Sequence, residues 1–88
     1  MAISNYTVTT TSGIALAASK RVQLVICNTG SNSVFINFGA AAEVDKGIYL
    51  SPSGGTYTMD VFAGTDSNIY AITSTGTSNL SIYYLLWQ

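Results

Sequence analysis

The chain has 88 residues, of which only 8% are charged and none is histidine, and its formal net charge is −1. A chain of this length forms one domain, and three cations are too few for a nucleic-acid-binding surface. The single cysteine, Cys27, excludes an intrachain disulfide, and without histidine the common zinc sites cannot form. The remaining surface of serine, threonine, asparagine and apolar side chains suits permanent contact with another protein.

Strand-forming runs alternate with turn-forming clusters along the whole chain, and no segment shows the apolar spacing of a helix beyond one turn at residues 39–44. The predicted strands cover residues 6–10, 14–17, 22–27, 34–38, 47–50, 56–61, 68–73 and 80–86. We therefore predict a single all-β domain over residues 1–88, a small β-sandwich or jelly-roll-like domain of about seven to eight short antiparallel strands. Residues 1–5 are a candidate extended N-terminal arm.

The connection between two strong strands is predicted from turn chemistry. Residues 28–33 read Asn-Thr-Gly-Ser-Asn-Ser, and asparagine and glycine tolerate the positive φ angles of tight turns. We therefore expect these residues to close a hairpin between strands 22–27 and 34–38. In the second of these strands Val34, Ile36 and Phe38 form the inward row, and Phe35 points the other way.

The C-terminal strand is apolar on both of its faces. Alternation places Leu80, Ile82, Tyr84 and Leu86 on one face and Tyr83, Leu85 and Trp87 on the other. A sheet face turned to water would carry polar residues, so the second row is expected to contact another chain. The predicted interface residues are Tyr83, Leu85 and Trp87, together with Phe35 and Tyr6.

Candidate catalytic groups are few. The four carboxylates are Glu43, Asp45, Asp60 and Asp66, mostly in predicted loops, where such groups serve solubility and turns. Without histidine the common serine and cysteine triads cannot be built, and Asp66 with its polar neighbours is a weak basis for a cation site. We predict no catalytic residue, no cofactor and no metal.

The N-terminus lacks the basic and apolar regions of a secretory signal, and no stretch approaches the roughly 20 apolar residues of a membrane helix. These features predict synthesis in a cytoplasm and no membrane partner. Buried free thiols behave as small hydrophobes, so Cys27, which lies in an apolar run, is expected to be an inert core residue.

The order of turns and strands resembles that of small virion proteins of tailed bacteriophages, including capsid decoration, or cement, proteins. The resemblance spans roughly residues 20–86 and is carried by the segments 25–39, 47–55 and 68–73. It implies a β-sandwich or jelly-roll-like subunit, often a homotrimer, that binds the major capsid protein or another virion surface. The implied location is the capsid surface of the virion, after synthesis in the host cytoplasm.

These features are consistent with two functions. The first is a non-enzymatic structural subunit that binds and stabilises the assembled phage head. The alternative is a carbohydrate- or receptor-binding β module of a phage fibre or tail, because ten aromatic residues in a short chain can form a sugar-binding platform. Glycan binding by the isolated chain, through an exposed aromatic row, would favour the alternative. Binding of the chain only to assembled heads would favour the structural subunit.

Overall fold

The structure, a computed structural model, describes residues 2–17, 21–60 and 68–86. Within these residues all regular structure is β, which confirms the predicted class: eight strands form two antiparallel four-stranded sheets, with no helix. Strand order in the first sheet is β1 (Ala2–Val8), β8 (Ser78–Leu86), β3 (Arg21–Asn28) and β6 (Gly55–Asp60). Strand order in the second sheet is β2 (Gly13–Leu16), β7 (Ile69–Thr73), β4 (Val34–Phe38) and β5 (Ile48–Leu50).

The antiparallel pairs are nested along the chain. Strand β1 pairs with β8, β2 with β7, β3 with β6 and β4 with β5, and each sheet is completed by one further pair, β3 with β8 and β4 with β7. The first and last strands therefore share one ladder. Residues 2–5, the candidate extended arm, lie within β1, where they pair with residues 81–84 of β8.

The core lies between the two sheets and is formed by alternate residues of each strand. The first sheet contributes Val8, Leu24, Ile26, Leu80 and Ile82, and the second contributes Ala15, Val34, Ile36, Leu50, Ile69 and Ala71. Burial of each large aliphatic side chain stabilises the fold by about 1.5–3 kcal/mol. The prediction that Leu80 and Ile82 belong to the inward row of the last strand is confirmed, and Tyr84 packs against the same core.

The predicted hairpin between the third and fourth strands is wrong, because β3 and β4 belong to different sheets. Strand β3 pairs with β6 and β8, and β4 pairs with β5 and β7. Residues 29–33 therefore form an arch that crosses from one sheet to the other. Asparagine and glycine are as well suited to such an arch as to a hairpin turn, so local turn chemistry does not separate the two.

A buried asparagine fixes this arch. Asn28, at the end of β3, is 0% exposed. Its Nδ2 donates to the carbonyl oxygens of Asn32 and Leu50 at 2.8 and 3.1 Å, and its Oδ1 accepts from the Gly30 N–H at 3.1 Å and the Ser78 hydroxyl at 2.7 Å. One side chain thus joins the arch to the end of β5 and the start of β8, with every polar group of its amide bonded.

Candidate functional site

The outward row of the C-terminal strand lies partly within the described residues. Tyr83 is half-buried on the outer face of the first sheet, opposite in orientation to the buried Ile82. Leu85 pairs with Gln23 in the ladder, but its side chain lies outside the described part of the structure, as does Trp87. The prediction that these three residues form an interface therefore stays a prediction.

The outer face of the first sheet carries one apolar row beside a polar one. Ile3, Tyr83, Val25 and Thr58 lie side by side across the four strands. Ile3 at the sheet edge is 76% exposed. The neighbouring row consists of Asn5, Ser81, Cys27 and Thr56. Cys27 is therefore partly exposed on this face, and its predicted core position is wrong.

The outer face of the second sheet carries a larger apolar surface. Pairing places Phe35 between Ile72 and Tyr49 in one row, and Tyr70 between Ile14 and Asn37 in the next. Tyr49 is 54% exposed and Ile14 is 46% exposed, whereas Phe35 is 9% exposed. We define the apolar patch as Ile14, Phe35, Tyr49, Tyr70 and Ile72.

Tyr49 is exposed and yet held in position by two contacts. Its ring lies against that of Phe35, with ring centroids 5.4 Å apart and ring planes tilted by 48°. Its hydroxyl is hydrogen-bonded to the hydroxyl of Ser33 at 3.1 Å. Loss of rotamer freedom is a main cost of binding for a side chain, so a tyrosine already fixed in the free protein is a favourable anchor for a partner.

Sequence analysis predicted Phe35 as an interface residue but did not select Tyr49. The structure brings the two together because residue 49 pairs directly with residue 35 on the same face. A usable signal was present in the sequence: Tyr49 lies between Ile48 and Leu50, so alternation turns it away from the core. The strand is only three residues long, which made its orientation hard to assign.

The structure places Tyr6, the fifth predicted interface residue, on the inner side of β1. Its ring packs against the core residues, and its hydroxyl occupies the space that a side chain on Gly13 would fill. Tyr6 thereby covers the core where β1 passes into β2. What faces outward on β1 is instead the row of Ile3, Asn5 and Thr7.

All charged side chains that the structure describes lie in the loop between β4 and β5: Glu43, Asp45 and Lys46. Lys46 pairs with Glu43 at 3.5 Å, and both side chains are exposed. An open recess of about 180 Å³ is lined by Glu43 and Lys46 together with Asn37, Ala41 and Gly47. The Asn37 amide is already bonded to the Ala41 carbonyl oxygen and the Phe38 N–H, so this residue organises the loop.

No group of three or more Cys, Asp or Glu side chains in the described segments is placed to hold a metal ion. Those segments also contain no helix with the length and apolar character needed to cross a membrane. Comparison with known proteins finds no matching family model, no matching curated protein and no matching solved structure.

Proposed function

We propose that this chain is a non-enzymatic structural subunit of a phage virion, a decoration protein that binds and stabilises the assembled head through the apolar patch. The observation that carries the proposal is the Tyr49–Phe35 pair, an exposed aromatic side chain fixed on a buried one. Aromatic anchors of this kind supply much of the energy of protein interfaces. The identity of the partner as a major capsid protein rests on the resemblance to small virion proteins.

The shape and charge of the molecule support a broad contact. The domain measures 38 × 23 × 17 Å. Its broadest side therefore has an area on the order of the 800 Å² that a partner buries in a standard interface. No described charged side chain lies within the strands of the second sheet, so the face can be covered without desolvating an ion.

The nested strand order supports the finer fold prediction within this proposal. Pairing of β1 with β8, β2 with β7, β3 with β6 and β4 with β5 is the connectivity expected for an eight-stranded jelly roll. Jelly rolls are found among viral capsid domains and also among lectins. The fold is therefore compatible with either function, and only the chemistry of the surface residues distinguishes the two functions.

The alternative, a carbohydrate- or receptor-binding module of a fibre or tail, would use the same face differently. The recess beside Asn37 opens next to the apolar patch and offers the Glu43 carboxylate and the Lys46 ammonium group. A sugar needs an aromatic platform with several free polar groups around it. Here the Asn37 amide, which adjoins Tyr70 of the patch, is already engaged within the loop, which favours the protein partner.

The proposal is tested by adding the purified chain to phage heads assembled without it and measuring bound copies by sedimentation. Wild-type protein should bind, and Tyr49→Ala should weaken binding about 30-fold, which corresponds to about 2 kcal/mol. Tyr83→Ala is the matched control, because it makes the same change on the other sheet's outer face. If only Tyr83→Ala weakens binding, the docking face is wrong. If the wild-type chain does not bind heads and binds glycans instead, the structural function is wrong.

A further inference from the structure

The two sheets have four edge strands, and they are protected unequally. Exposed edges invite pairing with another chain, so proteins shorten them, interrupt them with bulges or place charges and proline there. In the second sheet, β2 has four residues with a register shift between Ile14 and Leu16, and β5 has three residues. In the first sheet, β6 ends at an acidic residue, Asp60.

Strand β1 carries none of these devices. It runs for seven residues without a charge or a proline, and it pairs with β8 along its whole length without a register shift. Within the described residues, no backbone hydrogen bond is found on its other side. Its outward residue Ile3 is the most exposed large hydrophobic residue among those described. This is the edge most open to a further strand.

We propose that β1 pairs antiparallel with β1 of a second copy of this chain, about a two-fold axis at Asn5. Full overlap of Ala2–Val8 with itself places Asn5 opposite Asn5, Ile3 opposite Thr7, and Ser4 opposite Tyr6 of the second copy. The two first sheets then form one continuous sheet. This inference does not depend on the proposed function, because it concerns the isolated protein.

The length and the charge of β1 suit a second copy as the occupant. Residues that lie opposite each other in an antiparallel pair point to the same face of the sheet. Because β1 has seven residues, an odd number, every opposed pair meets this condition when the full strand pairs with itself about a two-fold axis. Strand β6 has six residues, so its full-length self-pairing would oppose residues of different faces. Because β1 is uncharged, the symmetric pairing brings no like charges together, and the two Asn5 amides can exchange hydrogen bonds.

The first test is the solution mass at micromolar concentration, by light scattering or sedimentation. The expected mass is twice the 9.3 kDa of the chain. A lysine at the symmetry axis places two like charges side by side, so Asn5→Lys should raise the dissociation constant at least tenfold. The matched control is Thr58→Lys on the opposite edge of the same sheet, which should remain dimeric. A monomeric wild type, or the homotrimer that the resemblance to virion proteins implies, overturns the two-fold pairing.

A second measurement does not depend on how well the lysine variant folds. In a Cys27→Ser background, Asn5→Cys places two thiols opposite each other across the axis, whereas Thr58→Cys does not. Mild oxidation should give a disulfide-linked dimer with Asn5→Cys at a rate at least tenfold above that of Thr58→Cys. Equal rates for the two variants would show random collision and would overturn the proposal even if the protein were dimeric.

Discussion

Replacement of Asn28 by alanine should destabilise the fold more than any exposed asparagine replacement. The side chain is fully buried and makes four hydrogen bonds, two of them, to the Leu50 carbonyl and the Ser78 hydroxyl, in buried surroundings. A buried polar group left without its partner costs about 1–3 kcal/mol, so these two alone account for about 2–6 kcal/mol. Since a domain of this length has about 4–13 kcal/mol of stability in total, we expect a loss of about 3 kcal/mol.

The measurement is thermal unfolding followed by circular dichroism, with all variants at one protein concentration. A loss of about 3 kcal/mol lowers the Tm by roughly 12–24 °C for a domain of this size. Asn79→Ala is the matched control, because the Asn79 side chain makes its contact with Thr7 in an exposed position, and it should change stability by about 0.5 kcal/mol or less. If Asn28→Ala melts within a few degrees of Asn79→Ala, the buried amide does not hold the arch.

Two further predictions concern a close backbone contact and the charged loop. Gly55→Ala should lower the free energy of unfolding by about 3 kcal/mol in chemical denaturation, because a methyl group there would collide with the backbone of Ser51. Thr58→Ala in the same strand is the control and should have little effect. Equal effects of the two substitutions would contradict the close packing at Gly55. Glu43→Gln should change the free energy of unfolding by about 0.5 kcal/mol or less, because the pair of Glu43 with Lys46 is exposed. The same variant should bind phage heads within about tenfold of the wild-type affinity. A folded variant that loses all function would contradict a non-catalytic role for Glu43.

The strands themselves could be predicted because their signal is local. Alternation of side chains assigned Leu80 and Ile82 to the core and Phe35 to the opposite face from Ile36, and the structure has all of them as predicted. Such patterns need only neighbouring residues and the two-residue period of a strand. The all-β class follows from the sum of these local signals.

Strand pairing could not be predicted in the same way, because it depends on residues far apart in the chain. The arch at residues 29–33 looks locally like a hairpin turn, and only the pairing of β3 with β6 and β8 distinguishes the two. The role of Asn28 has the same origin. Its partners Leu50 and Ser78 are 22 and 50 residues away, so sequence analysis assigned an asparagine of the core to a turn.

Only part of the candidate site could be predicted, for a related reason. The sequence predicts Phe35 as an interface residue, an apolar side chain that points away from the inward row of its strand. The contact of Phe35 with Tyr49 depends on the pairing of β4 with β5, which the sequence does not show. Tyr6 shows the reverse case, since an aromatic residue in an edge strand suits either a partner surface or the core. The contact between its hydroxyl and the position of Gly13 favours the core, and no local pattern contains that information.

The residues that hold this fold together and the residues proposed to bind partners are largely different. Stability comes from the inward rows and from the buried amide of Asn28, whereas the proposed contacts use Tyr49 on one outer face and Asn5 on one edge. Substitutions at distant sites with no shared partners have nearly additive effects. A loss of head binding in Tyr49→Ala can therefore be attributed to the surface when the melting temperature is unchanged. For a loss of dimers in Asn5→Lys, the melting temperatures are compared at a concentration low enough to dissociate the wild-type dimer.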